Sequence, residues 1–333
     1  MYERKAEIGN SCPDMNRKRK KIILGVLAII IGLPVALVVM VLLWTSIADK
    51  ANGAIVSSGV TRRYLLYVPK TYDRSRLTPL VITMHGGGSW PAAAIYISRW
   101  NEVAEQHGFI VVYPAGSGAF WGGFSPGPHV WPMGPRSLGR EVRFISDLID
   151  KLEAEYNIDP NRIYADGMSN GGGMALALSC RLSDRIAAVG AVASGRKLSW
   201  DRCGDSRPVP MVAFHGTADP RAPYRGGRSS APSDPVMFPD IRDWTAHVAR
   251  RNQCKGDPSD TRITANVRRL AYTNCAENAD VVLYSVEGGG HTWPGGQVPQ
   301  VVAPEWLVGR ATREINATRV MWEFFVQHPR GRK

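Results

Sequence analysis

The chain has 333 residues, of which 44% are hydrophobic and 21% charged, and its formal net charge is +12. This length suits one α/β domain of about 280 residues behind a separate N-terminal segment. Basic residues do not cluster into a nucleic-acid-binding motif, and neither Cys-x-x-Cys nor paired-histidine spacing indicates a metal site. We therefore expect no nucleic acid, metal or cofactor.

The first predicted element is an apolar segment near the N-terminus. Residues 1–21 form a basic tail ending in Arg17–Lys21, and Ile22–Trp44 carries no charge. At about 1.5 Å per residue, a helix over this segment would span roughly 34 Å, enough for a hydrocarbon core of about 30 Å. Because positive charge favours the cytoplasmic side, we predict a transmembrane signal anchor, with residues 45–54 as a linker to an extracytoplasmic domain. A signal peptide is the alternative, since Ser46–Ala48 offers a small-residue cleavage site.

Strands and helices alternate in the predicted catalytic domain, residues 55–330. The predicted strands are Tyr64–Tyr67, Pro79–Met84, Arg162–Ala165, Pro210–His215 and Asp280–Val286, and the predicted helices are Trp100–His107, Gly139–Tyr156, Gly172–Cys180, Asp240–Asn252 and Arg310–His328. This alternation predicts an α/β fold whose mainly parallel sheet has helices on both faces.

The sequence Gly-Met-Ser-Asn-Gly at Gly167–Gly171 stands between a predicted strand and a predicted helix. That context predicts a nucleophile elbow, in which a sharp turn exposes a serine hydroxyl beside a helix N-terminus. Ser169 is therefore the candidate nucleophile; an ordinary N-cap serine is the alternative. Ser125 stands in a second Gly-x-Ser-x-Gly match, but Pro126 follows it and has no N–H to donate to an oxyanion.

A nucleophilic serine needs a base, and the base needs a group that orients it. Asp219 and His291 each follow a predicted strand, where open α/β sheets place their sites. We predict Asp219 as the acid and His291, on a glycine-rich loop, as the base. A turn role is the alternative for Asp219, and we expect His85 and His215 to brace loops.

The oxyanion of the reaction needs two N–H donors. Asn170, directly after the candidate nucleophile, offers one backbone N–H. The second is expected from the glycine-rich loop after Pro79–Met84, where Gly87 and Gly88 fit equally well. A flexible turn is the alternative interpretation of these glycines.

Three tryptophans are candidate substrate contacts. Trp121 and Trp131 lie in the irregular stretch Gly116–Ser137, and Trp293 adjoins His291. Long irregular loops often carry function, and aromatic walls suit phenolic, sugar and aliphatic groups alike. Packing is the alternative for all three.

Four cysteines follow the predicted anchor: Cys180, Cys203, Cys254 and Cys275. An even number suits an oxidising compartment, and four cysteines allow three pairings. Proximity favours Cys180–Cys203 and Cys254–Cys275, with free buried thiols as the alternative.

Together these segments resemble the polyhydroxybutyrate-depolymerase-like and feruloyl-esterase-like branch of the α/β-hydrolases. The resemblance rests on Tyr64–Pro69, His85–Gly87, Tyr156–Tyr164, Gly167–Gly171, His215–Asp219, Gly290–Gly295 and Ile315–Phe325, and it covers residues 55–330. It implies that Ser169, Asp219 and His291 hydrolyse carboxylic esters through an acyl-enzyme. Two positions depart from the pattern: Arg140–Val142 reads Arg-Glu-Val where Asp-Asp-Val is expected, and Gly87 stands where a cysteine is common.

The sequence thus predicts an extracytoplasmic serine esterase acting on feruloyl, acetyl or short hydroxyalkanoate esters. One alternative is a serine peptidase of the prolyl-oligopeptidase type, although that group usually carries a large gating domain for which this chain has no room. A catalytically silent envelope-binding protein is the other, and the intact set of candidate triad residues argues against it.

Overall fold

The structure is a computed structural model. It describes residues 51–122, 135–195, 206–229, 237–297 and 304–331, together with Ile23, Val26, Gly32 and Val35. The chain divides into two units, residues 1–49 and 50–333. In the first unit the four described residues are helical, and the rest of the predicted anchor Ile22–Trp44 lies outside the described residues. Among the residues that are described, no helix is both long and apolar enough to cross a membrane.

Twelve strands are described in the second unit. They are β1 (Gly53–Ser57), β2 (Val60–Tyr67), β3 (Thr78–Met84), β4 (Ile110–Pro114), β5 (Ile158–Met168), β6 (Ala188–Val192), β7 (Met211–Gly216), β8 (Arg225–Arg228), β9 (Met237–Asp240), β10 (Ser259–Arg262), β11 (Val267–Tyr272) and β12 (Val281–Val286). Ten of them form one sheet in the order β1-β2-β4-β3-β5-β6-β7-β12-β11-β10, and β8 pairs with β9.

The six central strands, from β4 to β12, run parallel, while β1, β2, β10 and β11 add antiparallel edges. The sequence explains this order. Strands β3, β4, β6 and β7 are buried at every position, as is typical of strands covered on both faces. Strand β10, in contrast, exposes all four of its polar side chains, which suits an edge.

Seven helices are described beside this sheet: α1 (Pro91–Ser98), α2 (Trp100–His107), α3 (Pro135–Glu155), α4 (Asn170–Arg181), α5 (Ile241–Arg251), α6 (Glu305–Val308) and α7 (Ala317–Gln327). Helices α3, α4 and α5 pack on one face, and α1, α2 and α7 on the other. The predicted mainly parallel sheet with helices on both faces is therefore present.

The last helix begins later than the sequence predicts. We expected a helix over Arg310–His328, but α7 starts at Ala317. The side chain of Asn316 accepts a hydrogen bond from the N–H of Arg319 at 3.0 Å and so caps the helix there. Residues 310–316 instead run beside the His291 loop, where the carbonyl of Arg310 accepts from the N–H of Gly290 at 2.8 Å.

One predicted disulfide is present. Cys254 and Cys275 are bonded across 21 residues of sequence and join the end of α5 to the segment after β11. Cys180 also takes part in a disulfide. Its expected partner, Cys203, lies outside the described residues.

Asp166 is a fully buried carboxyl group near the carboxyl end of β5. Thr83 donates to its Oδ2 at 3.1 Å, whereas Oδ1 has no hydrogen-bond partner in the part of the chain that the structure describes. Burial raises the pKa of Asp166 well above its usual value, and nearby hydrogen-bond donors lower it by less. The native state therefore retains a proton that the unfolded chain releases near pH 4.

This retained proton predicts a pH-dependent effect of Asp166→Asn. Wild-type stability should fall as the pH rises from the unfolded towards the raised folded pKa, and the amide removes that cost. We expect the melting temperature of the variant, relative to wild type, to be higher at about pH 7.5 than at about pH 4.5 by at least about 3 °C. Asp150→Asn is the control, because Asp150 is 63% exposed. A difference in melting temperature that does not change with pH would contradict the buried neutral acid.

Candidate active site

Ser169 lies in a sharp turn between β5 and α4. Its backbone has φ 54° and ψ −115°, a region that non-glycine residues rarely occupy. The glycines on either side are required by close contact. A Cβ on Gly167 would lie 2.7 Å from the carbonyl oxygen of Met84, and one on Gly171 would lie 2.5 Å from that of His85. Ser169 is only half-buried. This is the geometry of a nucleophile elbow.

Asp219 and His291 form a buried pair beyond the ends of β7 and β12. Nδ1 of His291 lies 2.8 Å from Oδ2 of Asp219. The other carboxylate oxygen accepts from the backbone N–H groups of Arg221 and Ala222, both at 2.8 Å. Because the carboxylate accepts, Nδ1 carries a proton, and in the neutral form of the ring Nε2 has the lone pair that can accept a proton from a hydroxyl.

The surroundings keep Asp219 ionised. Burial alone would raise the pKa of this carboxyl, but His291, His215 and the N–H of Ala222 together outweigh it and hold the pKa below its usual value. His215 is buried as well, and burial lowers its pKa, so it stays neutral. Its Nε2 donates to the carbonyl of Ala222 at 2.7 Å and lies 3.5 Å from Asp219. His215 thus braces the acid loop, as expected.

The loop after β3 distinguishes between the two candidate oxyanion donors. The N–H of Gly88 donates to the carbonyl of Ala119 at 2.9 Å, so the prediction of Gly88 as a donor is wrong. Within the described part of the chain, the N–H of Gly87 has no hydrogen-bond partner. A Cβ on Gly87 would lie 3.4 Å from that of Asn170, which shows how closely the loop approaches the first residue of α4.

His85 fixes the orientation of this peptide. Its Nε2 accepts from the N–H of Gly116 at 3.0 Å, so its Nδ1 donates to the carbonyl of Gly86 at 2.8 Å. Burial lowers the pKa of His85 to about 4, which keeps the ring neutral. In a trans peptide the carbonyl of Gly86 and the N–H of Gly87 point in opposite directions. Because the carbonyl of Gly86 faces the ring of His85, the N–H of Gly87 points away from that ring.

Trp121 is not a substrate contact. Its side chain is fully buried, and its indole N–H donates to the carbonyl of His85 at 3.0 Å. The side chain of Asn170 holds its backbone at both ends, because Oδ1 accepts from the N–H of Trp121 at 2.6 Å and Nδ2 donates to its carbonyl at 3.3 Å. Sequence reasoning assigned Asn170 a backbone role alone and missed this clamp.

Trp293 is also buried, and its indole N–H donates to Thr318 at 2.9 Å, so the prediction of substrate contact is wrong there too. Trp131 and Ser125 lie outside the described residues.

Trp306, on α6, was not among the candidates that the sequence predicts, yet it is 83% exposed. Two residues later, the carbonyl of Val308 accepts from the backbone N–H of His291 at 2.5 Å. An exposed tryptophan thus lies on the segment that supports the candidate base.

The sheet order, with its six parallel strands, and the elbow at the carboxyl end of β5 define the class: an α/β-hydrolase. An acetyl xylan esterase from Aspergillus awamori superposes with a TM-score of 0.54 at 14% identity, over 77% of this chain and 98% of that one. At this identity the likeness shows the fold alone.

Sequence comparison is more specific. Residues 62–199 match the family model described as esterase PHB depolymerase. The putative esterase NocK from Nocardia uniformis subsp. tsuyamanensis is 30% identical over 84% of each chain. Feruloyl esterase B from Piromyces equi is 28% identical over 71% of this chain, which spans 44% of that protein. The chain belongs to the polyhydroxybutyrate-depolymerase-like and feruloyl-esterase-like α/β-hydrolases, and it is a carboxylic ester hydrolase.

Proposed function

We propose that the chain is a serine esterase that works through an acyl-enzyme formed on Ser169. The observation that carries this proposal is the buried 2.8 Å contact between Asp219 and Nδ1 of His291, formed at the same sheet edge as the strained elbow. The carboxylate holds the Nδ1 proton of His291 and so fixes the ring orientation and tautomer that activation of a serine hydroxyl requires.

The proposed reaction has two halves. Nε2 of His291 takes the hydroxyl proton as Oγ of Ser169 attacks the ester carbonyl carbon, and the backbone N–H groups of Asn170 and Gly87 bind the oxyanion. The tetrahedral intermediate collapses when His291 returns the proton to the departing alcohol, which leaves an acyl-serine. Water then attacks the acyl carbon by the same route and releases the acid, restoring the serine. Asp219 orients His291 and stabilises the imidazolium in both halves.

An oxidising compartment is the proposed location. The bonded Cys254–Cys275 pair and the disulfide at Cys180 support it, because such bonds persist mainly outside the cytoplasm. We keep Ile22–Trp44 as the proposed signal anchor, on the strength of its charge-free length and the basic residues before it. Cleavage as a signal peptide stays the alternative, and residues 55–330 form the proposed catalytic domain.

The proposed substrates are esters of hydroxycinnamic or short acids. The feruloyl esterase B named above supports the phenolic acyl group, and Trp306 is the proposed aromatic platform for it. A flat ring stacks well on an exposed indole. Gly86 adds no side chain beside Ser169, since a Cβ on it would lie 3.9 Å from that of Ser169.

A kinetic comparison of three substrates tests this function: p-nitrophenyl acetate, methyl ferulate and a peptide p-nitroanilide. We expect the full chain to hydrolyse both esters and not the peptide. Because p-nitrophenyl acetate has too small an acyl group to reach a platform, Trp306→Ala should raise KM for methyl ferulate by about tenfold and change KM for p-nitrophenyl acetate by less than about twofold.

Two controls accompany the Trp306 variant. Trp306→Phe should retain most of the affinity, because it preserves an aromatic face. Ile263→Ala alters an apolar side chain that is 48% exposed on the turn between β10 and β11, and it should change neither KM. An unchanged KM for methyl ferulate in Trp306→Ala would remove Trp306 from the substrate site, and peptide cleavage without ester cleavage would favour the peptidase.

A further inference from the structure

The segment Ala115–Trp121, called here the brace loop, contacts every part of the proposed oxyanion site. Its hydrogen bonds to His85, Gly88 and Asn170 have been described above: two to His85, one to Gly88 and two to Asn170. In addition, the ring of Phe120 covers Gly87, since a Cβ there would lie 2.9 Å from Cε1. The position of the brace loop therefore determines the position of both proposed oxyanion donors.

A buried ion pair anchors the brace loop from outside the site. Arg62 on β2 and Glu141 on α3 meet at 2.7 Å, with side chains 9% and 2% exposed. Arg62 also donates to the carbonyl of Ala115 at 2.8 Å, at the start of the loop, and its guanidinium lies 4.0 Å from the ring centre of Phe144. The second oxygen of Glu141 accepts from the hydroxyl of Ser117 at 2.6 Å. The pair thus binds the loop at two points.

Stability alone is a poor explanation of this arrangement. Removing two charges from water costs several kcal/mol per ion, and well-packed apolar residues often replace buried pairs without loss of stability. What an apolar pair cannot do is accept from Ser117 and donate to Ala115. Both bonds are directional, and both end on the brace loop. The ion pair therefore serves to fix the position of the brace loop, through Ala115 and Ser117.

We infer that Glu141, with Arg62 and Ser117, positions the oxyanion site through the brace loop. These are positioning residues, because they lie outside the site and act through Gly87 and Asn170. The inference rests on the proposed function and identifies what aligns its oxyanion donors. It also gives Glu141 a role at the position where Arg140–Val142 departs from the family pattern.

Ser117→Ala in the full chain is the most direct test, because Ser117 is exposed and its loss leaves the ion pair intact. A displaced oxyanion donor weakens the transition state more than the ground state, so kcat on p-nitrophenyl acetate should fall about tenfold with KM nearly unchanged. Inhibition by phenylboronic acid, whose tetrahedral adduct places an oxygen in the oxyanion site, should weaken by a similar factor. Ser117→Thr keeps a hydroxyl and should restore kcat.

Ser75→Ala is the matched control, since the hydroxyl of Ser75 donates to Asp73 at 2.8 Å on an exposed turn. It should change neither kcat nor boronate inhibition.

Glu141→Gln is the second variant. It keeps an acceptor for Ser117 but leaves Arg62 without a counter-charge, so we expect a lower kcat together with a lower melting temperature. Hydrogen exchange at the backbone amides of Gly88 and Trp121 should become faster in both Ser117→Ala and Glu141→Gln.

Wild-type kcat and boronate inhibition in Ser117→Ala, with Ser169→Ala inactive, would overturn the inference, even if hydrogen exchange became faster. A fall in kcat that Ser75→Ala reproduces would overturn it as well. Failure of the proposed function gives a different result, because Ser169→Ala would then retain the activity of the wild type. The two failures are therefore distinguishable.

Discussion

Alanine in place of Ser169 is expected to lower kcat for p-nitrophenyl acetate by about 10⁶-fold. The substitution removes the one atom that forms the acyl-enzyme and leaves the rest of the site in place. Alanine has the same Cβ as serine, so the strained backbone at φ 54° meets no new contact. The remaining N–H donors would still stabilise the oxyanion that forms on the ester carbonyl when water attacks it directly, which accounts for a small residual rate. We expect the melting temperature to stay close to that of wild type.

Covalent labelling distinguishes loss of the nucleophile from general damage. A fluorophosphonate probe should label the wild-type chain on Ser169 and should not label Ser169→Ala. Ser194→Ala is the matched control, because Ser194 also follows a central strand, yet its hydroxyl is fully buried and has no hydrogen-bond partner among the described residues. Labelling of Ser169→Ala at another serine, with activity retained, would refute the proposed mechanism.

The elbow could be predicted from local sequence, and the contact between Asp219 and His291 from the order of the strands. A glycine two residues before and two residues after Ser169 is needed wherever a strand turns this sharply, and the close contacts of Gly167 and Gly171 show why. Parallel strands bring their carboxyl ends to one edge, so chain order alone was enough to place Asp219 and His291 on the same side of the sheet.

The oxyanion loop could not be resolved in the same way. Gly87 and Gly88 are equivalent as sequence, and only the carbonyl of Ala119, 31 residues further on, takes one of their N–H groups. The role of Trp121 likewise depends on the side chain of Asn170, which is 49 residues away. Composition and periodicity do not encode such contacts between distant segments, so aromatic character was mistaken for a substrate wall.

Trp306 was missed for a related reason. The helix that carries Trp306, α6, has only four residues, too few for helical periodicity to show in the sequence. What makes Trp306 a candidate is its exposure together with the bond from His291 to Val308, and both are properties of the folded chain. A tryptophan followed by an apolar pair reads in sequence as core.

Asn in place of Asp219 is expected to lower kcat by about 10⁴-fold without unfolding the chain. The fold should survive because an amide oxygen in the place of Oδ1 still accepts from the N–H groups of Arg221 and Ala222. The amide NH₂ then takes the place of Oδ2, opposite Nδ1 of His291. Two donors cannot pair, so the imidazole is driven to the tautomer with its proton on Nε2. In that state His291 cannot take the proton of Ser169.

The matched control for Asp219→Asn is Asp280→Asn, in which a remote carboxylate lies 3.7 Å from Nε2 of His328. It should leave kcat and KM unchanged. That result would show that the loss of activity in Asp219→Asn is specific to the contact between Asp219 and His291.

Since the pKa of Asp219 lies below its usual value, protonation of this carboxylate cannot cause the acid limb of the wild-type profile of kcat/KM near neutral pH. A kcat in Asp219→Asn within about tenfold of wild type would mean that another group orients His291. The His215 nitrogen that lies 3.5 Å from the same carboxylate is Nε2, and it carries the proton that it donates to Ala222, so this nitrogen cannot serve as the acceptor that Nδ1 of His291 needs.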